Sequence, residues 1–183
     1  MLVGVNQSVR MLESAAQGDE RSFAHLVREH QSMVFSIAWH FLRNQSMAEE
    51  LAQDVFLHMY KNLSSIESPM HLTQWLRRVA THRCIDQSRR LKYRPRVGLE
   101  DAPEPSSPAN HGDPMLSATL ERLIQTLPDR PRMVVILRYQ EEMEPLEIAQ
   151  MMDIPIGTVK SMLHRALALL RGKMEREQKG AGK

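Results

Sequence analysis

The sequence predicts an all-α protein: two small helical domains joined by a flexible linker, with a helix-turn-helix in the C-terminal one. The 183 residues include only 8 glycines and 5% aromatics but 13 methionines, and Leu, Ala, Glu and Arg are common, a composition that favours helices. Apolar residues recur at intervals of three and four in both halves, which is the spacing of one helix face. A polar stretch containing several prolines separates the halves, and a chain of this length can form two small domains.

The first predicted domain covers residues 21–92 and follows an N-terminal extension or first helix at 1–20. Within residues 23–41, apolar side chains recur at helical spacing, and the pair Asn44 and Gln45 breaks the pattern. A helix is therefore predicted before this break.

The next predicted helix has the most regular pattern of the chain. Ser46 followed by Glu49 is the signature of a capping box, which predicts that the helix begins at Met47. Its apolar stripe consists of Ala48, Leu51, Ala52, Val55, Phe56 and Met59. The polar residues between these positions are predicted to face outward.

A loop follows, and then a further helix that is predicted to run from about Leu72 to Arg90. The loop is marked by Ser64, Ser65, Ser68 and Pro69. The residues that the helix is predicted to bury are Leu72, Trp75, Leu76, Val79 and Ala80.

Residues 93–113 are predicted to be the linker. Four prolines interrupt this polar stretch, and no apolar periodicity crosses it. A loop of this length is uncommon inside a compact domain, which favours a connection between two domains. The second domain is predicted at 114–178, with a short tail at 179–183.

The second domain begins with helical spacing of leucines after Pro114, and Pro128 ends this pattern. The apolar residues of this first helix are Leu116, Leu120, Leu123, Ile124 and Leu127. Asp129 is predicted to cap the next helix, which carries Val134, Val135 and Leu137.

Residues 145–164 match a helix-turn-helix pattern. Pro145 suits the first turn of a helix, Ala149 is small where a second helix must pass closely, and Asp153 tolerates a left-handed turn. The predicted buried wedge consists of Ile148, Met152, Ile154, Val159 and Leu163, continued by Ala166, Leu167 and Leu170. The predicted outward residues are Thr158, Lys160, Ser161, His164 and Arg165, donors and cations suited to the major groove of DNA.

The basic residues form two clusters, although the net charge is only +2. One cluster lies within residues 77–96, where eight cations face a single carboxylate at Asp86. The other lies in the C-terminal stretch from Lys160 onward. Two separate basic surfaces favour a polyanion that is bound at two places.

The sequence also argues against several classes of protein. No apolar run approaches the length of a membrane span, and the N-terminus lacks the pattern of a signal peptide. Cys84 is the single cysteine, which excludes an internal disulfide and fits a reducing cytoplasm.

An enzyme is the weaker alternative. A nuclease could hold metal ions with carboxylates from Asp19, Glu20, Glu49, Glu50 or Asp54. Glu49, Glu50 and Asp54 lie near one another on a helix but are predicted to project outward, whereas a two-metal site needs converging carboxylates. The sequence shows no His/Cys cluster for zinc, no Gly-rich phosphate loop and no arrangement of a nucleophile with its base. We therefore expect no catalytic residue, no metal and no cofactor.

Four sequence blocks carry a family likeness. They are AEELAQDVFLHMY at 48–60, TQWLRRVATHRCIDQSRR at 73–90, GTVKS at 157–161 and HRALALLR at 164–171. Together they resemble the two conserved domains of bacterial RNA polymerase sigma factors, in the extracytoplasmic-function (ECF) group of the sigma-70 family. The resemblance implies a factor that binds core RNA polymerase, recognises the −10 and −35 promoter elements and aids promoter melting.

The resemblance also implies roles for particular residues. The face that binds the clamp of the polymerase largest subunit would comprise Glu49, Glu50, Gln53, Asp54, His58 and Lys61. The −10 element would be contacted by Asn62, Ser64, Trp75, Arg77, Arg78, His82, Arg83, Arg89 and Arg90. The −35 element would be read by Thr158, Lys160, Ser161, His164 and Arg165. An anti-sigma protein is a further possible partner.

Two positions depart from the family pattern. His82 stands where the family usually has Asn, and Met162 where it often has Arg. Trp75 has two interpretations, a base-stacking platform or a core residue, and its place on the apolar stripe favours the core. Cys84 is interpreted as a packing residue.

The chief alternative function is a helix-turn-helix regulator that binds operator DNA as a dimer, without polymerase. Such a protein would need a dimerisation element and a ligand-binding or phosphate-accepting domain, and neither is apparent in the sequence. Binding to purified core polymerase distinguishes the two functions.

Overall fold

The computed structural model describes residues 2–93 and 114–181, and the regular structure within these ranges is entirely helical. The all-α prediction is therefore confirmed. The helices are α1 (Leu2–Ala16), α2 (Glu20–Leu42), α3 (Gln45–Asn62), α4 (Pro69–Tyr93), α5 (Pro114–Gln125), α6 (Asp129–Tyr139), α7 (Pro145–Met152) and α8 (Ile156–Ala181), with one turn of 3₁₀-helix at Leu63–Ser65. The predicted linker lies outside the described residues, apart from Tyr93 at the end of α4.

The packing divides the chain into two compact units, Met1–Gln87 and Ser88–Lys183. In the first unit, α2 packs against both α1 and α3. The largest fully buried side chains of this unit are Leu26, Val34, Ile37, Phe41, Val55, Met59, Leu72 and Leu76. Cys84 is fully buried as well, as its interpretation as a packing residue requires.

The capping box predicted for α3 is wrong. The N-cap is Asn44, whose side-chain oxygen accepts a hydrogen bond from the backbone N–H of Met47 at 2.8 Å, and the helix begins at Gln45. Arg43 adopts a left-handed conformation (φ 52°) that ends α2 and leaves Asn44 extended, so the cap forms two residues before Ser46. Glu49 instead accepts a hydrogen bond from the side chain of Gln45.

Helix α4 begins earlier than predicted, at Pro69. The hydroxyl of Ser68 accepts the backbone N–H of His71 at 3.1 Å, and proline needs no hydrogen bond in the first turn of a helix. The predicted burial of this helix is correct for Leu72, Leu76 and Ala80 but only partial for Trp75 and Val79.

In the second unit, α8 packs against α5, α6 and α7. One part of its core consists of Leu123, Leu127, Val135, Ala166 and Leu170. Leu167 was predicted to be buried but is 37% exposed, because it lies one residue past the stripe that Ala166 and Leu170 continue. Leu116 and Leu120, at the start of α5, are also exposed.

The predicted cap of α6 is also wrong. Pro128 occupies the N-cap and Asp129 is the first residue of the helix. The carboxylate of Asp129 instead accepts hydrogen bonds from Ser88 at 2.9 Å and from Lys92 at 2.7 Å, and it pairs with Arg132 at 2.8 Å. Burial alone would raise the pKa of Asp129, but the hydrogen bonds from Lys92 and Ser88 hold it below its ordinary value.

Candidate protein-docking and nucleic-acid interfaces

The outward side of α3 carries every residue that the sequence assigned to polymerase binding. The opposite side buries Ala48, Leu51, Val55, Phe56 and Met59, which fixes the rotation of the helix. The exposed residues on the outward side are Glu49, Glu50, Gln53, Asp54, His58 and Lys61. With three carboxylates against one lysine, this surface suits a partner that carries basic groups.

Two apolar residues that the sequence reasoning missed lie on the same side of α3. Leu57 is 60% exposed and, at 100° per residue, projects close to the middle of the acidic surface. Tyr60 is 56% exposed and packs edge-on against Phe23, with ring centroids 5.2 Å apart. In the sequence, both residues are recognisable as apolar side chains that lie outside the buried stripe of α3. A leucine exposed at such a position adds no buried apolar surface to the core.

Two contacts join this outward side of α3 to α4. A carboxylate oxygen of Asp54 lies 3.4 Å from a guanidinium nitrogen of Arg83. The ring of His58 stacks on that of Trp75, with centroids 5.3 Å apart and planes 13° from parallel. Each contact joins a residue that the sequence assigned to polymerase with a residue that it assigned to DNA.

The residues assigned to the −10 element divide by exposure. The exposed ones are Ser64, Arg78, His82, Arg89 and Arg90, and the partly buried ones are Asn62, Trp75, Arg77 and Arg83. Arg78, His82 and Arg89 follow one another at helical spacing on one side of α4, so they form a basic stripe that can follow a phosphate backbone.

Two of the partly buried residues, Asn62 and Arg77, interact with residues of their own unit. The side-chain amide of Asn62 donates to the backbone oxygen of His58 at 2.7 Å, at the end of α3. The Nε atom of Arg77 is buried and has no hydrogen-bond partner among the described residues. Burial lowers the pKa of His30; the charge of Glu29 opposes this shift, and that of Arg77 adds to it.

The helix-turn-helix has the geometry that the sequence predicted. Helix α7 begins at Pro145, and Asp153 adopts the left-handed conformation (φ 53°) while its N–H bonds to the oxygen of Ala149. Ile148, Met152 and Val159 are buried in the wedge. The other two wedge residues, Ile154 and Leu163, are only partly buried.

The N-terminal part of α8 presents the residues assigned to the −35 element. Lys160, His164 and Arg165 are exposed, and Thr158 and Ser161 are partly buried. The guanidinium of Arg165 lies back along its own helix, where it donates to the backbone oxygen of Ser161 at 3.2 Å and to its hydroxyl at 3.1 Å. To contact a base, Arg165 must therefore break these two hydrogen bonds and form new ones with the DNA.

Within residues 2–93 and 114–181, no three His, Cys, Asp or Glu side chains are grouped closely enough to hold a metal ion. Over the same ranges, no helix combines the length and the apolar character that crossing a membrane requires.

Two helical units, one with a helix-turn-helix and each with an exposed basic helix face, define a DNA-binding protein. The family model for Sigma-70 region 2 matches residues 26–94, and that for Sigma-70, region 4 matches residues 117–170. The RNA polymerase sigma-E factor of Streptomyces avermitilis is 32% identical over 87% of this chain and 89% of its own length. The ECF RNA polymerase sigma factor SigW of Bacillus subtilis is 29% identical over 88% of this chain and 94% of its own.

The chain belongs to the sigma-70 family of RNA polymerase sigma factors, in the ECF group. It therefore directs transcription initiation, and its partners are core RNA polymerase and promoter DNA.

Solved structures share the fold. RpoE from Bartonella quintana, in complex with the anti-sigma factor NepR, aligns over 85% of this chain and 98% of its own with a TM-score of 0.69 and 21% identity. CnrH, in complex with the cytosolic domain of CnrY, aligns over 92% of this chain and 98% of its own, with a TM-score of 0.66 and 20% identity.

Proposed function

We propose that this sigma factor docks on the clamp of the polymerase largest subunit through α3, contacts the −10 element with α4 and reads the −35 element with α8. The observation that carries the proposal is the placement of exposed faces on three helices: α3 and α4 lie within the match to Sigma-70 region 2, and the exposed face of α8 lies within the match to Sigma-70, region 4. The domain limits that go with it are residues 21–92 and 114–178.

The docking surface on α3 combines charge with an apolar centre. Glu50 and Asp54 precede Leu57 on the same side of α3, and Leu57 is 60% exposed among the described residues. Interfaces draw most of their affinity from a few desolvated central residues, while the surrounding charges set specificity and association rate. Leu57 therefore supplies the central contact, and the carboxylates select a basic partner.

The two promoter surfaces act differently. The basic stripe on α4 follows the backbone of melted DNA, and an unstacked base enters beside the turn after α3, at Ser64. The exposed residues of α8 enter the major groove of the −35 element, where Lys160 contacts phosphate and Arg165 a base.

The proposal extends to location and regulation. The protein acts beside RNA polymerase in the cytoplasm and performs no catalysis of its own. An anti-sigma protein is proposed as a further partner, because RpoE from Bartonella quintana, which shares the fold, was captured with the anti-sigma factor NepR.

The test is run-off transcription with purified core polymerase on a library of promoter sequences. Transcripts with shared −10 and −35 motifs are expected only when the factor is added. A regulator that acts without joining polymerase would bind DNA in a mobility-shift assay yet yield no factor-dependent transcript, and that result would overturn the proposal.

A further inference from the structure

The turn between α3 and α4, residues 63–68, is held in place at both ends. At the α3 end, the hydroxyl of Ser65 donates to the backbone oxygen of Asn62 at 2.8 Å, and the N–H of Ile66 donates to the oxygen of Leu63 at 3.1 Å. The side chain of Ile66 is also buried in the core. The α3 side of the turn is therefore fixed by hydrogen bonds and by packing.

At the α4 end, the turn is held by a histidine side chain. The backbone N–H of Glu67 donates to Nδ1 of His71 at 3.3 Å, and the backbone N–H of His71 donates to the hydroxyl of Ser68 at 3.1 Å. These two bonds resemble the reciprocal pair of a capping box, in which the third helical residue is usually Glu or Gln. Here His71 is the third residue of α4, and its ring reaches one residue further back, to the turn itself.

The chemistry of the imidazole makes this bond specific. In a neutral histidine one ring nitrogen accepts a hydrogen bond and the other carries the proton, so an accepting Nδ1 places the proton on Nε2. His71 is partly buried, whereas Ser64, Ser65 and Glu67 are exposed. The turn thus presents polar residues to solvent, while the side chain that fixes its α4 end is partly withdrawn from water.

A rigid turn matters for the binding of an unstacked base, which the proposed function places at Ser64. A site that must first be ordered loses affinity, because fixing mobile backbone costs conformational entropy. Without an acceptor at His71, the N–H of Glu67 would bond to water, and the backbone between Ile66 and Ser68 would gain freedom. The bond from Glu67 to His71 therefore keeps the turn preformed.

We propose that His71 is a positioning residue for promoter melting: by accepting the N–H of Glu67, it holds the turn in the shape that receives the unstacked base. The inference rests on the proposed function of this turn. Because His71 acts through the turn, it affects the capture of a base and leaves the phosphate contacts of the basic stripe on α4 unchanged.

The experiment uses holoenzyme and single-stranded oligonucleotides that carry the −10 motif selected by run-off transcription. Each position of the motif is replaced in turn by an abasic site, and the dissociation constants are measured by fluorescence anisotropy. The ratio of the abasic to the intact dissociation constant gives the contribution of that base. For the wild type this ratio should reach about fivefold or more at one position, because a stacked base contributes at least that much.

Two substitutions of His71 separate the acceptor from the bulk of the side chain. His71→Phe keeps a planar ring without an acceptor, and it should lower the ratio at that position by about two- to tenfold, the range of one hydrogen bond. His71→Gln supplies the oxygen acceptor of an ordinary capping box and should keep the wild-type ratio. Affinity for the oligonucleotide that is abasic at this position should be equal in all three proteins, whereas a merely structural role would lower it in His71→Phe.

The matched control is Glu67→Ala, which removes an exposed side chain but keeps the backbone N–H that His71 binds. Its ratio should equal that of the wild type. A loss as large as that of His71→Phe would assign the effect to the carboxylate and overturn the inference. If His71→Phe lowers the midpoint of thermal unfolding, His71→Ala repeats the test without a bulky ring and should show the same loss of ratio.

The remaining outcomes distinguish the inference from the function on which it rests. If the wild type shows no base contribution at any position, the turn does not capture a base, and the proposed base site fails together with the role of His71. If the wild type shows a contribution that His71→Phe and His71→Ala retain, the base site stands and the role of His71 is overturned. A loss in His71→Gln as large as in His71→Phe also overturns it, since the acceptor is then not the cause.

Discussion

The imidazole of His58, on α3, stacks on the indole of Trp75, on α4, with their planes 13° from parallel. The sequence had offered two interpretations of Trp75, a core residue or an exposed stacking platform. In the structure Trp75 is partly buried, and the ring of His58 stacks on it. This contact joins the surfaces proposed for polymerase and for DNA. Substitutions at other residues therefore test stability, polymerase docking and DNA binding separately.

Charge reversal of the docking face should weaken association with core polymerase. The double variant Glu50→Lys with Asp54→Lys changes a surface that attracts basic groups into one that repels them. Helicity by circular dichroism should remain at the wild-type level, since both side chains are exposed. Pull-down of the double variant with wild-type yield would contradict the docking face.

Leu57→Ser should also weaken polymerase association, by about tenfold, because it removes the apolar centre of the same face. The matched control is Met70→Ser, at the start of α4, where the methionine is 73% exposed but lies outside the face. Neither variant should lower the midpoint of thermal unfolding. Equal effects of the two substitutions on association would show that Leu57 has no special role.

Asn44→Ala should destabilise the first unit by about 1 kcal/mol, because it removes the side-chain acceptor for the N–H of Met47. Ser46→Ala should have almost no effect, since Ser46 is exposed within the first turn and does not cap the helix. Both tryptophans, Trp39 and Trp75, lie in the first unit, so urea unfolding followed by tryptophan fluorescence reports on that unit. The reverse order of effects would restore the capping box that the sequence suggested.

His30 should make the first unit less stable in mild acid. Its pKa is lowered in the folded state, so the unfolded chain takes up a proton first as the pH falls below the ordinary value of 6.5. The free energy of unfolding should therefore fall between pH 7.5 and pH 5.5, a window chosen about one pH unit on either side of that value.

The variant His30→Gln isolates this effect, and tryptophan fluorescence again reports on the unit. Relative to its own value at pH 7.5, His30→Gln should lose less stability than the wild type. The control is His25→Gln, an exposed position on the same helix, which should keep the wild-type dependence. Identical pH dependence in all three proteins would rule out His30 as the source.

The recognition helix should show two kinds of DNA contact when holoenzyme binding is measured at several salt concentrations. Arg165→Ala should cost about 1–3 kcal/mol and relax preference at one base position of the −35 element. Lys160→Ala should weaken all sequences similarly and reduce the salt slope by about one unit. Wild-type behaviour in both variants would mean that α8 does not read the promoter.

Met162 provides a gain-of-function test on the same helix. It stands where the family often has Arg, and it is partly buried beside the exposed row of Lys160 and His164. Met162→Arg should raise affinity for the −35 element if the major groove of the bound DNA lies against this position. An unchanged affinity would place the position outside the DNA contact.

The sequence alone determined the all-α class and the helix-turn-helix. Both follow from local properties: the period of apolar residues and the conformations that Pro145 and Asp153 allow. The apolar stripe of α3 also predicted which side of the helix is buried. The acidic residues assigned to the opposite side are exposed as a result.

Only the tertiary structure decided which side chains meet. Asp54 and Arg83 are 29 positions apart, and nothing in the local pattern of either helix indicates that they pair. The same holds for Asp129, whose local context suggested a cap but whose carboxylate binds Ser88 and Lys92 from α4. Periodicity fixes which side of a helix is buried, whereas contacts between polar side chains depend on how two helices are placed, which is a property of the whole packed unit.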